Sequence, residues 1–482
     1  MTGPDAFHPE ARDVRALGEA VAAWVARHFA ALAELPVVPD TTPPATFARF
    51  AEPLPDAGRP WAEVLARFER EVVPLSFHLP SPRYFGLMNP APLPVAVFAE
   101  SLAAALNQNL GAWHHSPAAT AIERQVIRWL CDLAGYPAGA FGSLTSGGSL
   151  ANTTGLKIAL AAKLPETTRG GLFGLAARPV IYASAEAHFS IEKSANVLGL
   201  GGRDGLRLVP VDRNSRVDVA RLRAMVRDDR AGGLLPFCVV GIAGVTSNGV
   251  IDPLSALADA AEELGLWFHV DAAYGAGALM SERLAPRLAG IARADSITMD
   301  PHKWWAMPYP CGAILTRDGE AALRAFTASD VYIPDTGRSI EFRHHGLQGS
   351  RPFSALKLWM AMQVVGRAAY ARLAEDQVAL TERFVAELTK GGEWEAVTPV
   401  DTAIAAVRFV GARSRGATER ELDAAQDRIV ARVLEGRRLW VSPTTTVGVR
   451  AIRVMVISYL TRWEHLQELI TALREAARDV RR

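Results

Sequence analysis

Cysteine is scarce in this chain. Only Cys131, Cys238 and Cys311 occur in 482 residues, far apart. That excludes a dense disulfide scaffold and a CxxC zinc module, and suits a reducing cytoplasm. A surplus of one charge is also missing. Lys plus Arg is 52 and Asp plus Glu is 51, for a net charge of +1. No basic excess marks a nucleic-acid or anionic-membrane partner. A membrane helix is not expected either. The long uncharged run from Ala231 to Ile251 holds five glycines, Pro236, Ser247 and Asn248, and reads as a buried strand followed by a loop. The opening MTGPDAFHPEARD lacks the apolar stretch of a secretion signal, so a cytoplasmic location is expected. A GxGxxG turn after an early strand and the GK[ST] of a P-loop are both absent, which disfavours a dinucleotide-binding Rossmann enzyme.

What is present is a large core: 49% of residues are hydrophobic and 21% charged. The length suggests roughly two or three domains. Residues 1–35 read as an amphipathic helix with Val14, Leu17, Val21, Trp24, Val25 and Phe29 along one stripe. A Pro-rich connector from Leu35 to Pro55 and a second helix at Trp61 to Val73 follow. This opening cannot bury its own apolar stripes and is expected to pack on a partner. From about 140 to 320, β-rich runs alternate with helical periods: Val180–Ser184, Leu208–Val211, Phe237–Gly244, Trp267–Ala273, Ser296–Met299 and Cys311–Thr316. Such alternation predicts an α/β layer with a mostly parallel sheet, whose ligand sites lie beyond the carboxyl ends of the strands. A long helix at about Ser354 to Lys390 leads to a smaller C-terminal α+β unit. The expected segments are 1–90 (helical, partner-wrapping), 91–365 (large α/β) and 366–482 (small α+β).

Four constellations follow strand-like runs. In SITMDPHKWW, His302 and Lys303 come just after a strand end. Lys303 reads either as a surface lysine or as an amine that forms a Schiff base. In LWFHVDAAYG, Asp271 ends an apolar strand, as a cap or as a carboxylate facing a protonated ring nitrogen. In LTSGGSLANTTG, a hydroxyl-bearing glycine turn opens a helix whose first amides favour an anion. In ASAEAHFSIEK, His188 lies between strand and helix, as a structural or an active histidine. Together these are the parts pyridoxal phosphate requires.

With HVDAAY and DPHKW in this order, and with SPRYFGLMNPAP, SPAATAIERQVIRWL, TSGGSLAN and SRPFSALKLW in support, the chain resembles the group II pyridoxal-phosphate-dependent amino-acid decarboxylases over about residues 75–365. The resemblance implies the aspartate-aminotransferase-like fold type I, a carboxy-lyase activity, pyridoxal 5'-phosphate as cofactor, and a homodimer with its active site at the interface. It also implies roles, residue by residue. Lys303 matches the Schiff-base lysine, Asp271 the partner of the pyridine nitrogen, and His188 the imidazole on the ring face. Ser146, Gly147, Ser149 and His302 match positions around the phosphate, and Thr246 and Ala273 line the ring. Tyr332 matches the loop tyrosine that protonates the substrate carbon, and Arg351 an arginine that holds the substrate carboxylate. Leu87 and Met88 match the stretch facing the substrate side chain, where glutamate enzymes carry a glutamine. Their apolar character favours an aromatic L-amino acid. Asn109 and Gly111 stand where bulkier residues are common, which widens the expected pocket. His344 and His345 are not read as metal ligands, and no metal is expected. The competing readings are a pyridoxal-phosphate lyase acting on an acidic or sulfinate amino acid, and a catalytically silent cofactor-binding protein.

Overall fold

A computed structural model of the chain describes residues 7–327, 340–411, 413 and 416–480. Seven strands form one sheet: β1 (Phe141–Thr145), β2 (Pro179–Ser184), β3 (Leu206–Val209), β4 (Leu235–Ile242), β5 (Trp267–Asp271), β6 (Ser296–Met299) and β7 (Gly312–Thr316). Their spatial order is β1-β7-β6-β5-β4-β2-β3. Every residue of β2, β5, β6 and β7 is buried, as expected of strands covered by helices on both faces. The pairs β3–β2, β2–β4, β4–β5 and β5–β6 are parallel, whereas β7 runs antiparallel to both β6 and β1. That one reversed strand leaves β1 pointing the same way as β6. The carboxyl ends of β1, β2, β4, β5 and β6 therefore share one edge of the sheet.

Four further strands build a second, antiparallel sheet in the order β10-β11-β9-β8: β8 (Trp394–Ala396), β9 (Ile404–Phe409), β10 (Ser442–Thr446) and β11 (Val449–Met455). Burial alternates along β10, which lies at the edge with one face in solvent. The helices Glu419–Glu435 and Trp463–Val480 pack on this sheet.

Two features depart from the sequence reading. The connector between Leu35 and Pro55 contains a helix, Pro43–Phe50. Thr42 accepts the Ala45 amide, and the prolines occupy the first helical positions, where no amide hydrogen is needed. The long helix Ala355–Thr389 is interrupted at Gly366, whose φ of 73° is open to glycine at little cost.

The N-terminal stretch is tied to the second sheet. Phe85 donates its amide to the Trp440 carbonyl, and Tyr84 stacks on the Trp440 ring at 5.0 Å. Arg453 joins three segments, donating to the carbonyls of Gly86 and Thr246 and to Ser442. No helix among the described residues is long and apolar enough to cross a membrane.

Candidate active site

The shared strand edge opens onto a cavity of about 300 Å³ lined by Ser146, Gly147, Ser149, His188, Thr246, Asp271, Ala273, His302 and Lys303. All nine residues expected around the cofactor thus meet in one place. They come from the ends of five strands, β1, β2, β4, β5 and β6, or the segments after them, which is why motifs scattered over some 160 positions converge.

Asp271 closes β5 and is 7% exposed. One oxygen accepts the Ala273 amide at 3.1 Å and the other the Asn152 side-chain amide at 2.8 Å. Asn152 also donates to Ser190 Oγ at 3.0 Å, and Ser190 Oγ lies 2.8 Å from His188 Nδ1. The Ser190 amide points at the same Nδ1, so that nitrogen accepts and Nε2 carries the ring proton. Burial lowers the pKa of His188, against the pull of Asp271, which favours the neutral ring at pH 7. Beneath them His269 contacts Asn152 and Ser296, and burial pushes its pKa down to about 4.

Lys303 Nζ stands 3.1 Å from Asp300 Oδ2. The other oxygen of Asp300 is buried without a partner. His302 accepts the Cys311 amide and lies against the Tyr309 ring, 4.1 Å between centroids. The Tyr309 hydroxyl in turn donates to the Met88 carbonyl.

The turn after β1 leads into the helix Gly148–Lys163, whose start has no side-chain cap. Its first amides stay available to an anion and carry the positive end of the helix dipole. Gly147 has φ 143°, and a Cβ on Gly148 would meet Asp300 at 2.6 Å, so the chain here must be glycine. A helix start with free amides, a buried carboxylate that accepts two N–H donors, and a lysine in the same cavity fit pyridoxal phosphate. The residues that would hold it are Ser146–Ser149 for the phosphate, Asp271 for the ring nitrogen and Lys303 for the aldehyde.

Sequence reasoning assigned no role to Asn152, Ser190, Asp300 or Tyr309. Asn152 lies one helical turn beyond Ser149, and Asp300 three residues before Lys303. Those spacings were the available signal; Asn152 reaches groups that follow other strands, while Asp300 reaches Lys303 within its own segment.

Three expected substrate residues lie outside the cavity wall. Leu87 is exposed and Met88 buried, the latter one contact away through Tyr309. Arg351 is turned elsewhere. Its guanidinium donates to Glu123 and, at 2.8 Å, to the Leu144 carbonyl, and both side chains are buried. Within this chain the expected carboxylate anchor is thus committed to the edge of β1. Tyr332 lies outside the described residues.

A sheet edge furnished in this way defines a pyridoxal-phosphate enzyme of fold type I. The chain belongs to the pyridoxal-dependent decarboxylase family, whose conserved-domain model matches residues 43–411. It is 31% identical over 474 residues to an aromatic-L-amino-acid decarboxylase of Bacillus atrophaeus, covering 98% of this chain and 96% of the relative. It is 35% identical over 370 residues to an L-2,4-diaminobutyrate decarboxylase of Rhizobium meliloti (strain 1021), covering 75% and 72%. Among solved structures, Oryza sativa TDC with PLP and tryptamine superposes with a TM-score of 0.92 at 26% identity, covering 98% of both chains. Mouse CSAD gives 0.91 at 26%, covering 97% and 99%. The protein is accordingly a pyridoxal-phosphate-dependent amino-acid carboxy-lyase.

Proposed function

We propose that the chain decarboxylates an aromatic L-amino acid to its amine. The observation that carries the aromatic reading is the apolar character of Leu87 and Met88, a stretch joined to the cavity-lining Tyr309 through the Met88 carbonyl. The chain-long similarity to an aromatic-L-amino-acid decarboxylase supports it.

Bound pyridoxal phosphate supplies an electron sink for the bond that breaks. The chain does the rest. Lys303 holds the aldehyde end and Asp271⁻ keeps a proton on the ring nitrogen. Asn152 and the Ala273 amide fix the carboxylate in place, so it cannot turn away. Neutral His188, oriented by Ser190, would lie against one face of the cofactor ring with its Nε2 proton free to donate. Tyr332 delivers a proton to the substrate α-carbon.

The working unit in this reading is a cytoplasmic homodimer with its site at the interface, built from segments 1–90, 91–365 and 366–482. Exposed Phe47, Phe50, Trp61 and Val64 in the first segment, and Phe98, Leu102 and Leu106 on the helix Pro94–Leu106, support a covering partner. A monomer with full activity in sedimentation would end the dimer reading.

The deciding experiment supplies the purified enzyme with L-tryptophan, L-tyrosine, L-phenylalanine, L-histidine, L-2,4-diaminobutyrate and L-cysteine sulfinate, and measures carbon dioxide and amine. Highest kcat/KM on an aromatic member is expected. Preference for the diaminobutyrate or the sulfinate would overturn the substrate reading and keep the reaction.

A further inference from the structure

A second cavity of about 610 Å³ lies between the helix Ala355–Thr389 and the residues that open the helix Trp463–Val480. It shares no lining residue with the first cavity. Arg372, Asp376, Leu380 and Arg383 follow one another along a single face of the longer helix, about a turn apart. Arg462 and Trp463 face them, and the Arg383 guanidinium lies 3.7 Å over the Trp463 ring. Neither Arg372 nor Arg383 has a carboxylate at ion-pair distance among the described residues, and neither has Asp376 a cation.

One buried group in the wall is unspent. Gln377 is 2% exposed, and its side-chain N–H donors have no partner. Leaving such a donor without an acceptor in the interior is costly. The same side chain accepts the Trp304 indole proton at 2.7 Å. Trp304 follows Lys303 in sequence and stacks on Tyr274, a lining residue of the first cavity, at 4.8 Å and 11°.

We propose that this cavity is a second ligand site for an α-amino acid with an apolar side chain, and that it reports to the cofactor cavity through Gln377 and Trp304. Arg372, Arg383 and an idle amide donor match a carboxylate, whereas Arg462 Nη1 already donates to the carbonyls of Tyr459 and Thr461. Asp376, the one acidic group among them, matches an ammonium and disfavours a phosphate dianion. Leu373, Leu380 and Trp463 offer apolar surface to the side chain. The proposal does not depend on which amino acid the enzyme decarboxylates.

Borohydride reduction seals Lys303 to its cofactor, so titrating the reduced holoenzyme with L-phenylalanine by calorimetry reads the second cavity apart from turnover. One molecule is expected per chain. 3-Phenylpropanoate lacks the ammonium and 2-phenylethylamine lacks the carboxylate; each should bind about tenfold more weakly. Arg372→Gln and Arg383→Gln, both at exposed positions, should weaken phenylalanine by about the same factor. Asp376→Asn should weaken phenylalanine and spare 3-phenylpropanoate. A change in the cofactor absorbance band should track the heat. No binding, or binding that all three substitutions leave unaltered, overturns the site; full binding with an unmoved band overturns its link to the cofactor.

Discussion

Asp271 is held by two donated hydrogen bonds and has no proton of its own to give. Its replacement by asparagine preserves shape and removes the charge that holds a proton on the ring nitrogen. The expected result for Asp271→Asn is a modestly lowered melting temperature, because the new amide N–H faces a donor, with retained cofactor and a kcat lower by at least on the order of 10²-fold. A normal kcat would remove the carboxylate from the chemistry. Tyr332→Phe tests a different step. With its proton donor gone, amine yield should fall and aldehyde product should appear; full amine yield would refute the role. At this scale the sequence was informative about position: Lys303, Asp271 and His188 each follow a strand end, and all three line one cavity. It was silent about Asn152 and Ser190, because an orienting residue is defined by what it touches and both touch groups on other strands.

The first strand shows what Arg351 contacts within this chain. β1 is an edge strand, paired only with β7. The Leu144 amide donates to Glu123 and its carbonyl accepts from Arg351, so this ion pair takes the place of a neighbouring strand. Leu144 stands just before the turn that begins the phosphate cradle. An arginine in a motif tells its charge, and the acid that claims it lies 228 residues away. Either Glu123→Gln or Arg351→Gln leaves a buried charge unpaired and should cost about 3–5 kcal/mol in urea unfolding. The joint replacement Glu123→Leu with Arg351→Met removes both charges but leaves the buried Leu144 amide and carbonyl unpaired, so it should recover only part of that stability and bind the cofactor more weakly in a dialysis titration. Single variants as stable as the parent would show the pair to be idle. The helix Pro43–Phe50 was missed for a related reason: proline was read as a breaker where it serves as a starter.

Across the whole molecule the two-sided burial of the central strands made the α/β sheet legible, since uninterrupted apolar runs between helical periods fit few other arrangements. The reversed β7 was not legible, because strand direction leaves no mark on composition. Stability should also carry a signature of the interior. Burial pushes His269 and His345 down to about 4, against 6.5 when unfolded. Between those values the unfolded chain binds the protons and the native state does not, so stability falls as pH drops below 6.5. Asp252, buried beneath the amides of Val217 and Ile242, is raised from 3.8 to about 6 and acts in the opposite direction below that pH. Asp252 therefore offsets part of the histidines' loss below about pH 6, and a net fall in stability remains as the pH drops. His345→Phe should reduce the loss between pH 6.5 and 5 by about 2 kcal/mol, read from denaturation midpoints across pH. An identical pH profile for the variant would contradict the buried neutral ring.

The pairing of Tyr84 and Phe85 with Trp440 bears on how the polypeptide matures on the ribosome. Strands β2 to β6 can assemble as they emerge, but β1 waits for β7, and the Tyr84–Phe85 stretch waits for residue 440. Until then the apolar opening segment has no permanent seat, and a nascent chain stalled before that point would be a natural client for chaperones.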